Sequence, residues 1–330
     1  MKLKYLILGS NSFAGSCIID FLLSRNHVVI GVSRSPKPHD VILTYANNTN
    51  LKRFSFYSYD INQHYSEVIQ LINQQKPNII IDLAGQGMVA ESWHSPEEWY
   101  QTNIVSKVKL HNFLRQCDFL DKYIRVSTPE VYGSTSGIID EAHAFNPSTP
   151  YAVSHAAIDM SLKAYYQQFQ FPVIITRFAN FYGPHQQLYR IIPRTIIYGL
   201  FGKQLELHGG GKSERAFIYG EDVASAIDAV IQNGKSGETY HFSSEKPISI
   251  AALVRKICYC LDIAFDQFIT ISSDRAGKDA IYSMDYSKAQ RELGWNPITT
   301  LDTGIEKTIA WIKENIDIIK TLPLHYIHKP

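Results

Sequence analysis

The 330-residue chain has little net charge, few cysteines and no long apolar run, and each scarcity removes a class of function. With 32 basic against 31 acidic residues, the formal net charge of +1 gives no case for nucleic acid or an anionic membrane as partner. No apolar stretch reaches the roughly 18 residues that a membrane-spanning helix needs. Met1-Lys-Leu-Lys leads straight into an apolar strand, so no signal peptide is expected and the expected location is cytoplasmic. Cys17, Cys117, Cys258 and Cys260 are the only cysteines. They lack metal-ligand spacing, the histidines show no paired spacing, and no metal is expected. Buried thiols in a reducing compartment are the reading for the cysteines, Cys258 and Cys260 falling in an apolar helical stretch. No repeat, linker or low-complexity tract is visible, and 45% hydrophobic residues suffice to bury a large core.

What is present begins at Lys4–Leu8, a short apolar run that predicts a buried parallel strand. The segment Gly9-Ser-Asn-Ser-Phe-Ala-Gly15 follows, and Cys17, Ile18, Phe21 and Leu22 then recur at helical spacing. Glycines at both ends of a strand-to-helix turn let backbone N–H groups approach a pyrophosphate at the helix N-terminus. Gly9, Asn11, Ser12, Phe13 and Gly15 are therefore candidate cofactor contacts, with Ser12 standing where a middle glycine is usual. A second strand over 28–32 completes a βαβ unit. After it, no carboxylate occurs before Asp40, and the chain reads Ser33-Arg34-Ser35. An acidic residue there would accept hydrogen bonds from the adenosine ribose of NAD, whereas Arg34 suits a 2′-phosphate; NADP is favoured and NAD kept as the alternative.

Further strands are predicted over 54–57, 78–83 and 123–126, giving an α/β chain with a Rossmann-type doubly wound parallel sheet and a smaller C-terminal α/β lobe. Asp60, Ile61, Leu83, Ala84 and Gln86 follow strand ends, where ligands of such sheets bind. Asp60 serves equally well as a contact to adenine or as the N-cap of a helix beginning near His64. Ser127-Thr-Pro-Glu-Val-Tyr-Gly133 and, eighteen residues on, Tyr151-Ala-Val-Ser-His155 set a hydroxyl, a carboxylate and a phenol on a strand end and the helix after it. These groups can remove a hydride and a proton from adjacent carbons. His155 occupies a position that normally holds lysine.

These motifs, with Asp82-Leu-Ala-Gly-Gln86, Arg177-Phe-Ala-Asn-Phe-Tyr-Gly-Pro184, Arg190-Ile-Ile-Pro193, Arg215-Ala-Phe-Ile-Tyr219 and Asp274-Arg-Ala-Gly-Lys-Asp279, run nearly end to end. In them the chain resembles the extended short-chain dehydrogenase/reductases, specifically the nucleotide-sugar 4,6-dehydratases. The resemblance implies C4 oxidation of the sugar, C5 deprotonation with loss of the C6 hydroxyl as water, and hydride return to C6. Tyr151 is then the base on the C4 hydroxyl, Thr128 orients it, and Glu130 takes the C5 proton. Pro129 replaces an aspartate that protonates the leaving hydroxyl in many relatives, so Glu130 serves both proton steps. Tyr151 and His155 also contact the cofactor. Because histidine is mostly neutral at pH 7, His155→Lys is expected to speed C4 oxidation. Asn180, Arg190, Arg215 and Arg275 match substrate-binding positions, with Lys278 in the same loop as Arg275. The resemblance also implies a homodimer and an approximate division into residues 1–175, mainly NAD(P)-binding, and 176–330, mainly nucleotide-sugar-binding, with the chain crossing between lobes. A 4-epimerase, a 5,6-dehydratase, a decarboxylase and a catalytically impaired NADP-binding homologue are the competing readings.

Overall fold

The computed structural model describes residues 3–135, 137–244, 246–273 and 283–329. Seven parallel strands form one sheet: β1 (Lys4–Leu8), β2 (Val28–Ser33), β3 (Phe54–Ser58), β4 (Ile79–Asp82), β5 (Lys122–Ser127), β6 (Val173–Phe178) and β7 (Thr239–Phe242). Their order is β7-β6-β5-β4-β1-β2-β3. The chain winds one way from β1 to β3 and the other way from β4 onward, so the reversal lies between β1 and β4, paired with Leu8 opposite Asp82. A crevice opens at the carboxyl ends of strands on either side of such a reversal.

Helices cover both faces, which is why the strands read as apolar runs rather than alternating ones. Helix α1 (Phe13–Ser24) follows β1, and α2 (Tyr65–Gln75) precedes β4. A long helix α3 is built from Pro96–Tyr100, a π-helical turn Gln101–Val105 and Ser106–Leu114. Helix α4 (Pro150–Phe169) precedes β6. β1 begins and ends where the apolar run does, and the other predicted strands agree within one or two residues. Residue 175 falls inside β6, and β7 comes from residues 239–242, so the sheet takes strands from both nominal halves. A second core lies among helices Ile191–Leu200, Ile250–Leu261 and Leu301–Glu314, where Ile192, Ile196, Leu253, Ile257 and Ile305 are buried. Cys258 is buried in a separate small cluster with Leu205, Leu207, Val254 and Phe268, but Cys260 lies on the exposed side of its helix, correcting the expectation that both thiols are inside.

Three histidines, His111, His155 and His241, are buried within the parallel-sheet layers. Burial pushes His111 and His241 down to about 3 and holds His155 well below the ordinary range. Each therefore stays neutral in the folded protein while it protonates near 6.5 when unfolded, so this stability is present above pH 6.5 and lost as pH falls. Between pH 6.5 and 5.5 each should remove about 1 kcal/mol, about 3 kcal/mol together. Chemical denaturation at the two pH values checks this, and His111→Gln should take about a third off the loss.

Candidate active site

The turn after β1 is shaped by Gly9, whose φ of +84° is left-handed and whose Cβ would lie 2.8 Å from Ala84 N. Ser12 is the N-cap of α1. Its extended backbone needs no glycine, its Oγ accepts from Gly15 N at 3.1 Å and donates to Gly9 O at 2.7 Å. The side chain thus closes the loop that a middle glycine would otherwise leave open. A Cβ on Gly15 would meet Gly9 O at 2.7 Å, so this position keeps helix and turn in close contact.

A crevice of about 210 Å³ runs along these ends. Gly9, Asn11, Ser12, Arg34, Asp60, Ile61, Leu83 and Ala84 line it, as expected, together with Ser33, Ser35, Tyr59, Asn62 and Thr102. Five expected contacts do not line it: Tyr151 and His155, which belong to the adjoining site described below, and Phe13, Gly15 and Gln86. The Phe13 ring is buried in the core against Gly183 and Gly220, leaving only its backbone near the turn. Gly15 packs beneath the turn. Gln86 is 1% exposed: Asn103 takes its backbone N–H and C=O, while its side chain accepts from Arg34 Nη2 at 3.4 Å and donates to Lys329 O at 2.9 Å. Asp60 is not the cap of α2, whose N-cap is His64; its Oδ1 closes a turn by accepting from Asn62 N at 2.7 Å.

The C-terminal tail borders the Arg34 side of the crevice, which no periodicity in its sequence signals. Lys329 Nζ donates to Ser35 Oγ at 2.8 Å, His328 Nε2 meets Glu98 Oε2 at 2.7 Å, and the His328 ring stacks on Trp99. Asn103, on the π-helical turn, joins the Gln86 loop to α4 by donating to Ser154 Oγ at 2.9 Å. π-Helical turns often occur at functional sites.

Tyr151 enters at the second residue of α4, after Pro150, with Thr149 as N-cap accepting from Ala152 N at 3.1 Å. Thr128 follows β5 in an extended conformation, as the next proline requires, and its Oγ1 accepts from Glu130 N at 3.3 Å. The Thr128 hydroxyl also hydrogen-bonds the Tyr151 phenol. Burial, then the charge of Glu130, pushes that phenol well above its ordinary value, while Thr128, Arg125 and Arg190 pull it down. Hydroxyl, carboxylate and phenol therefore share one site. Arg190 is exposed at the start of helix Ile191–Leu200, close enough to act on the phenol. Asn180 and Arg215 lie on neighbouring segments, Asn180 N donating to Ala216 O at 3.0 Å. Arg275 and Lys278 lie outside the described residues.

His155 sits one turn beyond Tyr151 with ring centroids 4.5 Å apart. The charged group bonded to it is not an anion but the Arg125 guanidinium, Nη2 to Nδ1 at 3.0 Å. Burial and that cation keep the imidazole neutral.

Residues 6–308 match the sequence profile of a family described as GDP-mannose 4,6 dehydratase. The chain belongs to that dehydratase family. Within it, the dTDP-glucose 4,6-dehydratase of Salmonella typhimurium is 30% identical over 348 residues, 95% of this chain and 93% of that protein. The dTDP-glucose 4,6-dehydratase 1 of Escherichia coli K12 is 30% identical over 355 residues, 97% and 96% of the two chains. Among solved structures, the dTDP-glucose 4,6-dehydratase of Streptomyces venezuelae, with NAD bound, superposes with a TM-score of 0.88 at 27% identity, covering 96% of this chain and 98% of that one. Membership of the dehydratase family accounts for the nearly full-length resemblance and for the seven-stranded sheet.

Proposed function

We propose that the chain is an NAD(P)-dependent nucleotide-sugar 4,6-dehydratase that makes a 4-keto-6-deoxy sugar nucleotide. The observation that carries this is the convergence of Thr128, Glu130 and Tyr151 beside the nucleotide crevice. The crevice fits a dinucleotide: a glycine turn that a Cβ would fill, the amide end of a capped helix, and a topological reversal coincide there. Gly9, Asn11, Ser12, Arg34, Asp60, Ile61, Leu83 and Ala84 would hold it. When bound, it would supply the hydride chemistry, oxidation at C4 and reduction at C6. Tyr151 takes the proton of the C4 hydroxyl as that carbon becomes a ketone, with Thr128 holding the hydroxyl in place. Glu130 takes the C5 proton and hands it to the departing C6 hydroxyl, which leaves as water; as hydride returns to C6, a solvent-derived proton is delivered to C5 through Glu130, while the proton taken by Tyr151 passes to solvent, so the net change is loss of water. Pro129 cannot share that duty, having no ionisable group. Asn180, Arg190, Arg215 and Arg275 are the proposed contacts to the nucleotide diphosphate, for which guanidinium forks suit phosphate oxygens.

Incubating the protein with dTDP-glucose, GDP-mannose and UDP-sugars in deuterated water tests the assignment. Loss of one water with one deuterium at C5 is expected for at least one sugar. An unchanged mass would point to epimerisation, loss of carbon dioxide to decarboxylation, and no turnover with any sugar to an impaired homologue.

NADP is the proposed cofactor, supported by Arg34 between Ser33 and Ser35 and by Lys329 reaching the same Ser35. NAD is the second reading, favoured by its presence in the Streptomyces venezuelae relative. Arg34→Ala should weaken NADP about tenfold, a charge-assisted contact of roughly 1.4 kcal/mol, and change NAD less than twofold; equal effects on both would sink the preference. A homodimer is proposed through α3 and α4, where Val105, Val153 and Met160 are exposed. The cytoplasm is the proposed location: all four cysteines are unpaired, and among the described residues no helix is long and apolar enough to cross a membrane.

A further inference from the structure

We propose that Arg125 is a positioning residue for the Tyr151 chemistry: it fixes neutral His155 as the Nε2–H tautomer and supplies the permanent cation beneath the phenol. This rests on the dehydratase reading for its catalytic meaning, though not for its geometry.

Arg125 lies in the middle of β5, 1% exposed, under α4. A charged residue there is rare unless paired. Its carboxylate neighbours are more loosely placed than its imidazole neighbour: Asp82 Oδ2 is 3.5 Å from Nη1 and Asp159 Oδ1 is 3.9 Å from Nε. Among the described residues neither Nε nor Nη1 has a hydrogen-bond partner, and the guanidinium's one hydrogen bond there goes to His155 Nδ1. The carboxylates are held instead by others. Asp82 is paired with Lys107 and accepts from Tyr123 Oη at 2.6 Å; Asp159 accepts from Arg177 Nη2 at 2.7 Å and Ser127 Oγ at 2.6 Å. A purely structural arginine would be expected to fork onto a carboxylate.

Two consequences follow from elementary chemistry. Guanidinium has donors and no acceptor, so His155 Nδ1 must present its lone pair and the ring proton must reside on Nε2. Nε2–H is then a fixed donor one helical turn from Tyr151, available to a ribose hydroxyl or to the phenolate. Secondly, among the described residues Lys107, Arg125 and Arg177 form ion pairs only with Asp82 and Asp159, which leaves three cationic side chains against two carboxylates in this buried layer. The groups around His155 are that set together with Tyr151, and Glu130 lies on the far side of the phenol. A proton on His155 would add a second uncompensated charge, whereas the neutral ring passes the existing one toward Tyr151 through a hydrogen bond.

The expectation that His155→Lys speeds C4 oxidation is therefore reversed. A lysine ammonium at 155 would be forced against Arg125 with no new anion to separate them.

Imidazole nitrogen NMR of the uniformly labelled wild-type protein tests the tautomer without any turnover. Nδ1 unprotonated and Nε2 protonated, unchanged from about pH 5.5 to 9, is expected; an imidazolium titrating near its ordinary 6.5, or a proton on Nδ1, overturns the proposal. Kinetically, Arg125→Gln should lower kcat about tenfold at pH 7.5 and move the rising limb of its pH profile up by about one unit, with cofactor affinity kept. His155→Lys should lower kcat in the native background and raise it in the Arg125→Gln background. An unmoved pH profile in folded Arg125→Gln refutes the cation's role. If that variant does not fold, a faster His155→Lys enzyme refutes it alone. Should the wild type process no sugar while the tautomer is as described, the dehydratase reading fails and the Arg125–His155 pair stands.

Discussion

Tyr151→Phe should reduce kcat about 1,000-fold while leaving the fold intact, within the 100- to 10,000-fold range that a positioned base contributes. Only one oxygen is removed, and the ring remains wedged between His155 and the Thr128 turn. The wild-type profile should also carry the signature of this group. Burial and Glu130 raise the phenol well above its ordinary value, so its basic form is scarce at neutral pH and activity climbs tenfold per unit as pH rises. Glu130→Gln cannot be used to relieve that shift, since it removes the second base. Thr128→Val can be used in the opposite sense, because it deletes the hydrogen bond that lowers the phenol and should displace the climb to higher pH. Residual activity in Tyr151→Phe should be flat where the wild type is steep. A phenylalanine variant within threefold of the parent, with the same slope, would remove Tyr151 from the chemistry.

Much of the nucleotide crevice was legible because its parts are local in sequence. β1, the Gly9–Gly15 turn, Arg34 and Ala84 are each identified by a run, a turn residue or the end of a strand, and eight of the expected contacts line one cavity. Asp60 was harder: its carboxylate fits an adenine contact or a helix cap, and the structure removes the cap, since His64 caps α2 while Asp60 lines the crevice and closes a turn with Asn62 N. Phe13 looked like part of a loop, but the first turn of α1 rotates its ring into the core. The Arg125 layer could not be assembled from sequence, since its members lie on β4, α3, β5, α4 and β6 and meet only through parallel register, Asp82 opposite Arg125 and Ser127 opposite Arg177. One signal was available. Arg125 interrupts the otherwise apolar run Tyr123–Val126, and Asp159 stands eight residues after Tyr151, on the same helical face as His155. The tail from Tyr326 to Lys329 offers no pattern at all, yet Lys329 reaches Ser35 and Gln86 across most of the chain.

Glu130→Gln should stop the reaction between its two proton transfers. The side chain keeps its volume and its place on the short turn Pro129–Tyr132, which Thr128 caps and Gly133 ends. Gly133 has a φ of +66°, and a Cβ there would collide with Asn146 O, so that turn is held rigidly. What is lost is the only carboxylate on that turn, Pro129 offering none. Overall dehydration should fall about 1,000-fold or more. C4 oxidation does not need this group and should persist, so a 4-keto sugar that retains its C6 hydroxyl and its original C5 hydrogen should accumulate to at most one equivalent per site. Mass analysis after rapid quenching in deuterated water distinguishes the cases. With wild type, the product lacks water and carries one deuterium; with Glu130→Gln, the trapped sugar lacks only a pair of hydrogens and carries none. Deuterium at C5 in the variant would mean that another base reaches that carbon, and the two-step role given to Glu130 would fall while Tyr151 kept its own.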